Sequence, residues 1–560
     1  MHHTFIPKNA VYDKMVASYG VNNLLFLAFL VCLVPLTWTG DVFTSTAQLR
    51  KLAASETDLV SVLNNYIAKE ENRINNLKRV LNEARSRQPR EEDAYEARLS
   101  QMVQHPLSAY SVISNYHKNY NPVSNEREAT VNYNELVNEM SSYGIYLPDE
   151  KDLQGAVAGI LRLQRVYHIS TDDLVAGIIH GHQGTPLSAD DCYRIGEMAL
   201  QKGEYRLASQ WLRHALARNT SLTLPDSRFP VSDTLTLLAR AHAMIFDYDS
   251  AVNYSRRAIG LNPENENAHA YFEEHDATQR EMRAEGRPTH QDVEAWWPQE
   301  AEWQVAYGRL CRGDDIQELM SSQLICRYRP TAIPYWRVKE EIYSFRPRIA
   351  LLYDVIYDTE IELLKKVALE QLYRATVGDP GNVEITEQRI SKVGWVWDQI
   401  SGEKVARISR RVALITGLET AYSDYFASAE PFQVVNYGLA GQYEPHVDYY
   451  EDPTYLKNMP TYLQGSGDRI ATFMLYLNDV ISGGATVFTK AMVRVPPVKG
   501  AAAFWYNSRK TGEYDIISEH AGCPVVIGEK WVANKWVHEA GQIFKRPCGL
   551  SVADHYSIDE

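Results

Sequence analysis

His446 and Asp448 stand two residues apart inside the stretch Gln442-Tyr-Glu-Pro-His-Val-Asp448, which has residue types that hold a transition metal. In an extended segment, residues i and i+2 point to one face, so an imidazole and a carboxylate converge there. Two His and one carboxylate on one face of an octahedron, with the other positions open, form the donor set of non-haem Fe(II) oxygenases. The second imidazole must come from a distant strand, and His520 is the candidate. Lys530, in Gly-Glu-Lys-Trp just downstream, offers a cation for an anionic co-substrate. A His-x-Asp pair alone more often serves turns and caps. The elements around it therefore matter.

Gln433–Gly438 and Arg469–Asp479 are rich in β-branched and aromatic residues and read as strands. Gly483-Gly484 turns into a further strand ending at Phe488, and Val495–Tyr506 and Cys523–Ile527 add two more. Many short strands punctuated by Gly and Pro predict a sandwich or jelly roll, a fold in which two strands can assemble such a triad.

Tyr437-Gly438, Tyr443-x-Pro-His446-x-Asp448, Gly483-Gly484-Ala-Thr-Val-Phe488, Phe504-Trp-Tyr-Asn507, His520-Ala-Gly-Cys523-Pro and Lys530-Trp-Val-x-Asn534-Lys-Trp536-x-His538-Glu together resemble the catalytic domain of collagen prolyl 4-hydroxylase α subunits. The resemblance implies a double-stranded β-helix (jelly-roll) Fe(II)/2-oxoglutarate dioxygenase domain over residues 345–550. It implies Fe(II) held by His446, Asp448 and His520, with Lys530 on the distal carboxylate of 2-oxoglutarate, helped by the Tyr437 hydroxyl. A buried Lys without such an anion is costly to keep charged. In this superfamily the residue in that place is often Arg, so Lys530 favours the prolyl 4-hydroxylase side.

Tyr443, Trp536 and His538 match positions near the substrate proline, and each could equally be core. The implied reaction is oxidative decarboxylation of 2-oxoglutarate to succinate and CO₂ with hydroxylation of proline at carbon 4, and ascorbate to restore oxidised iron. Protein disulfide isomerase, as β subunit of an α₂β₂ tetramer, is the implied partner. Two other readings are open: a related oxygenase acting on lysine or on non-collagen Pro-rich proteins, and a catalytically silent peptide-binding chaperone. The intact His446, Asp448, His520 and Lys530 speak against the last.

From its start, the chain of 560 residues is too long for one core and implies about three or four domains. Net charge is −14 with no basic tract, so nucleic-acid binding has no electrostatic support. The apolar run Leu24–Leu36 is shorter than the about 20 residues a membrane span needs. It suits the core of a signal peptide over residues 1–40, with an uncleaved anchor as the alternative.

Beyond Cys32 in that run, Cys311, Cys326, Cys523 and Cys548 fit two disulfides in an oxidising lumen, and the resemblance implies the pairs Cys311–Cys326 and Cys523–Cys548. Cys192 reads as a small buried helix residue. Asn219-Thr-Ser and Asn253-Tyr-Ser are glycosylation sequons. The final Ser-Ile-Asp-Glu is not a Lys-Asp-Glu-Leu signal, so residence in the endoplasmic reticulum lumen calls for a retaining partner.

Residues 41–185 read as a helical N-terminal domain. Leu59, Leu63, Tyr66, Ile74, Leu77 and Leu81 recur at steps of three and four, the seam of an amphipathic helix or of a coiled-coil-like contact. The resemblance implies dimerisation there. Residues 186–280 hold a repeat: Gly203-Glu-Tyr205-Arg-Leu-Ala208 with Trp211 matches Asp247-Tyr-Asp-Ser-Ala251 with Tyr254, predicting tetratricopeptide-like helix pairs. The resemblance makes this the binding domain for Pro-rich, collagen-type polypeptide, with Tyr193, Tyr205 and Trp211 as candidate contacts. Aromatics at helical spacing are more often core. The helix Leu235–Ala243 lacks the tyrosines of collagen binders, and residues 281–344 read as a polar connector.

Overall fold

Alternation along the C-terminal strands builds the layer that carries the site. The computed structural model describes residues 102–125, 148–219, 229–292, 300–314, 324–379, 382–421, 427–450 and 459–549, with scattered positions upstream. Arg90–Glu560 forms one compact unit and Met1–Pro89 another. The signal-peptide segment and most of the heptad-like stripe lie outside the described residues. Of that stripe, Ile74 and Leu81 are helical and exposed.

The helical part comprises α1 (Pro106–Asn125), α2 (Glu150–Tyr167), α3 (Thr171–Ala176), α4 (Ala189–Gln201), α5 (Tyr205–Asn219), α6 (Val231–Met244), α7 (Tyr248–Leu261), α8 (Glu266–Ala284) and α9 (Glu302–Arg312). A small hairpin of β1 (Ile178–Ile179) and β2 (His182–Gln183) interrupts it. Capping boxes start two of these helices where the sequence supplies Asp149 with Asp152 and Ser188 with Asp191. The repeat appears as helices α4 and α5, then α6 and α7, followed by α8. Among the described residues no helix is long and apolar enough to cross a membrane.

The β-rich part begins earlier than residue 345. β3 (Ile325–Pro330) and β4 (Arg337–Phe345) hydrogen-bond onto β5 (Arg348–Tyr353) as the edge of a nine-stranded sheet. The last part of the stretch read as a connector, from Ile325 on, therefore belongs to the sheet, and its polar outward residues are those of a sheet edge. The sheet runs β3-β4-β5-β16-β12-β19-β10-β9-β6. Here β6 is Tyr373–Arg374, β9 Lys392–Val396, β10 Phe432–Tyr437, β12 Arg469–Tyr476, β16 Ala502–Tyr506 and β19 Lys530–His538.

A four-stranded sheet, β11-β17-β14-β15, consists of Tyr443–His446, His520–Gly522, Thr486–Phe488 and Val493–Val495. Two small pairs complete the set: β7 (Val377–Asp379) with β8 (Asn382–Glu384), and β13 (Ser482–Gly483) with β18 (Val525–Ile527). The strand expected over Val495–Tyr506 is two strands, because Pro496-Pro497 and the positive-φ Gly500 (φ +79°) break it.

Successive residues of β10, β12, β16 and β19 enter different cores. Val435, Tyr437, Met474, Tyr476, Trp505 and Val532 meet Phe488, Val493, Val495 and Val525 between the two sheets. Val434, Phe473, Phe504 and Ala533 pack instead with α10 (Asp358–Leu369) and α11 (Glu403–Thr416). A third core joins α2, α4, α5, α6 and α9 to Ala485, Val487, Ala521, Cys523, Val526 and Ile527 of the small sheet and its flanks. The helical layer thus covers the back of the strands that bear His446 and His520.

Candidate active site

His446 closes β11 and His520 opens β17, and the two residues face each other across the pair. Asp448 follows two residues on, in a bend just past the end of β11 rather than in the strand itself. Its Oδ1 lies 3.8 Å from His446 Nε2 and its Oδ2 3.6 Å from His520 Nε2. Among the described residues this is the one group of His, Cys, Asp or Glu whose ligand atoms gather as a metal site would, all within 4.8 Å of one another.

Local hydrogen bonds aim the rings. His446 Nδ1 donates to the Glu444 carbonyl (2.8 Å) and His520 Nδ1 to that of Ser518 (3.1 Å). Both Nε2 atoms are thereby left for a ligand, the arrangement that fixes metal-binding imidazoles. Thr472 on β12 donates to Asp448 Oδ2 at 2.7 Å. Burial, and then the facing His520, depress His446 to about 3, keeping it neutral and able to coordinate. Burial works to raise Asp448, but His520, His446 and Arg469 prevail and hold it below its ordinary value. A neutral His446, a second imidazole and one ionised carboxylate fit a divalent iron.

Lys530 starts β19 opposite Tyr437 of β10. It is 2% exposed, and among the described residues it has no carboxylate at ion-pair distance. Its Nζ sits 5.2 Å from the Tyr437 ring centre, and burial alone pushes it down to about 7. No side chain from Gly522 or Gly484 crowds it: a Cβ on Gly522 would stand 3.8 Å from Nζ, and one on Gly484 3.5 Å from Cδ. The uncompensated cation suits a carboxylate such as that of 2-oxoglutarate.

The remaining candidates divide. Tyr443 stacks on His446 with ring centres 3.5 Å apart and lies under the Arg389 guanidinium (4.8 Å). Trp536 lies beneath the Arg469 guanidinium at 4.0 Å. His538 is fully buried, with Nδ1 on the Gly467 carbonyl (2.8 Å) and Nε2 on Glu430 (3.0 Å). Both of its ring nitrogens are thus engaged by the protein, and Glu430 also pairs with Arg469. Glu430 and Thr472 were not foreseen; no local pattern marks a carboxylate or hydroxyl that meets its partner across strands.

Of the three candidate peptide contacts, two are core residues. Trp211 is 0% exposed, and its Nε1 donates to Gln164 at 2.8 Å. Tyr193 is buried against Phe229 (3.9 Å between ring centres), and Tyr205 packs half-buried on the same core. Their helical spacing marks the core stripe. A cavity of about 700 Å³ lies apart from the metal cluster, between α2, α3 and α5, with Arg165, Asp172, Gln210 and Arg213 in its wall.

The disulfide pairing also differs. Cys311 bonds to Cys523 with Cα atoms 5.5 Å apart, because α9 lies on β17; Cys326 and Cys548 are exposed thiols. Cys326 is carried away on the edge strand β3. Cys192 is buried, as read. Asn253 is an exposed residue within α7.

Two family models match: the prolyl 4-hydroxylase alpha-subunit N-terminal region over residues 45–181, and the 2OG-Fe(II) oxygenase superfamily over 432–538. The chain is 32% identical to human prolyl 4-hydroxylase subunit alpha-1 over 540 residues, covering 91% of this chain and 96% of the relative. The chicken alpha-1 subunit is 33% identical, covering 91% and 99%, and the mouse alpha-3 subunit 32%, covering 92% and 95%. The chain belongs to the prolyl 4-hydroxylase α-subunit family. Its C-terminal part is a 2-oxoglutarate-dependent Fe(II) dioxygenase region, downstream of a helical N-terminal region. Among solved structures, a viral collagen prolyl hydroxylase from Paramecium bursaria Chlorella virus-1 is 23% identical, covering 34% of this chain and 95% of its own, with a TM-score of 0.26.

Proposed function

We propose that the chain is the catalytic α-type subunit of a prolyl 4-hydroxylase, acting on Pro-rich, collagen-like polypeptide. In the reaction, 2-oxoglutarate and O₂ are consumed, one oxygen atom enters succinate and the other carbon 4 of proline, and CO₂ leaves. The observation that carries this is Lys530: a buried cation without an anion among the described residues, next to Gly484 and Gly522, on the side of the sheet that faces a two-His, one-Asp cluster.

Iron bound at His446, Asp448 and His520 would supply O₂ activation. The protein's own tasks are to aim both imidazoles, to hold the co-substrate carboxylate with Lys530 and Tyr437, and to exclude water. The two facing sheets support a jelly-roll core, and the stacked pairs α4–α8 a tetratricopeptide-like unit for extended peptide. Family membership supports protein disulfide isomerase as partner in an α₂β₂ assembly, self-association through the N-terminal region, ascorbate as reductant, and the endoplasmic reticulum lumen as location. Glycosylation at Asn219 and Asn253 belongs to the same proposal.

The test uses the chain co-expressed with a disulfide isomerase and supplied with Fe(II), 2-oxoglutarate and ascorbate. (Pro-Pro-Gly)-repeat, lysine-containing and non-collagen Pro-rich peptides are compared by succinate release and by gain of one oxygen atom. Hydroxyproline in the repeat peptide supports the proposal. Turnover only on the others reassigns the substrate, and bound peptide without succinate points to a silent binder.

A further inference from the structure

Along α9, Tyr307, Leu310 and Cys311 recur at helical spacing, so one face of the helix is apolar and turns to the small sheet. Tyr307 is 4% exposed, and its hydroxyl lies 3.2 Å from Gln442 Oε1 and 3.2 Å from the Gly522 carbonyl. One phenolic proton serves these two acceptors. Gln442 precedes β11, which ends at His446; Gly522 stands two residues beyond His520 on β17.

The strand pair that carries both imidazoles is short. Its register shifts between Tyr443↔Gly522 and His446↔His520, so its own ladder fixes the spacing of the two rings weakly. A side-chain route makes up for this. Tyr307 reaches Gln442, the Gln442 amide donates to Glu444 Oε1 at 3.2 Å, and the Glu444 carbonyl accepts His446 Nδ1 at 2.8 Å. Further ties from the helices hold the same strands. Tyr167 donates to the Pro524 carbonyl (2.7 Å), Arg162 to that of Ala440 (3.0 Å), and Cys311 is bonded to Cys523.

We propose that Tyr307 is a positioning residue for the metal centre: through Gln442 and Gly522, helix α9 sets the relative placement of His446 and His520. This rests on the reading of His446, Asp448 and His520 as the iron ligands. The helical layer is then part of the catalytic apparatus and not only a peptide holder.

The test compares the full chain, co-expressed with its isomerase, with Tyr307→Phe, Gln442→Leu and the double variant. Anaerobic Fe(II) binding is titrated, with Co(II) absorption as a second readout, and metal-free thermal unfolding is followed. Each single variant is expected to weaken metal binding about tenfold, the low end for outer-shell ligand partners. The Tyr307→Phe unfolding midpoint should fall only by the few degrees that a lost buried hydroxyl explains, and the peptide KM should not move.

The double variant should be no weaker than the worse single one, since both cut one route. Unchanged metal affinity with lowered metal-free stability overturns the proposal, as do additive losses. If Tyr307→Phe does not fold, Gln442→Leu decides by metal affinity alone. Metal retained by His446→Ala overturns the ligand reading itself, a separate failure.

Discussion

The two faces of β19 carry the same residue to opposite ends. Lys530 and Lys535 are both at most 2% exposed on one strand. Lys535 turns to the helix side, where Asp398 meets its ammonium at 3.2 Å and the Phe432 ring lies 4.6 Å away. Burial lowers its pKa, with Asp398 pushing back. Lys530 turns to the side of the metal cluster and has no such partner among the described residues. Asn534 Oδ1 and Trp536 Nε1, on that same face, are buried without hydrogen-bond partners among the described residues. On the other face Trp531 Nε1 is satisfied by Glu529 at 2.8 Å. One face is finished by the chain itself; the other is left to be completed by what binds there.

Removing a ligand breaks the contrast most. His446→Ala should reduce succinate release to background while peptide binding to the helical unit persists; joint loss would mean that the two parts do not act separately. Next, Lys530→Ala should raise the 2-oxoglutarate requirement about a hundredfold, as expected for losing a buried charge partner worth about 3 kcal/mol. The peptide KM should hardly change, and equal rises in both would remove the assigned role.

Methionine at the two positions sharpens the comparison without substrates. Lys530→Met should stabilise the ligand-free protein, since an unpaired buried ammonium disappears. Lys535→Met should destabilise it by about 1 kcal/mol, because Asp398 is left unpaired but partly wetted. Chemical denaturation of both variants reads the opposite signs, and two shifts of the same sign would dissolve the contrast.

Acidity gives a fourth handle. The folded-state pKa of Lys530 is about 7 against an ordinary 10.5, so the unfolded chain binds more protons between these values. Ligand-free stability should therefore rise with pH across that window, the penalty being fully present below about 7. Affinity for 2-oxoglutarate, which needs the ammonium, should fall over the same range. Lys530→Met should show neither trend. The smallest effect is expected at Trp211→Phe: about 1 kcal/mol of stability from the lost bond to Gln164, with peptide affinity unchanged in a pull-down titration.

The clustering of His446 with Asp448 and the burial of Lys530 were legible in the sequence because they are local or tied to short motifs, although a bend past β11, not the strand, brings Asp448 round. Glu430, Thr472 and Tyr307 were not, since each acts on a residue brought near only by strand order or helix packing. The same holds for the bond between Cys311 and Cys523, whose short-range alternatives look more natural along the chain. β3 and β4 read as a connector because edge strands expose polar residues. Trp211 shows the reverse case, where a residue fit for binding is consumed by the core.

Tyr307 and Gly522 are 215 residues apart. A ribosome adding about 5 to 20 residues per second needs roughly 10 to 40 s to pass from one to the other. Through that interval α9 has emerged with its apolar face, while the strand it will cover is still unmade. The helical part of a nascent chain therefore waits with a half-built surface until its last tenth arrives, which makes the time of synthesis a period of greatest need for a companion protein.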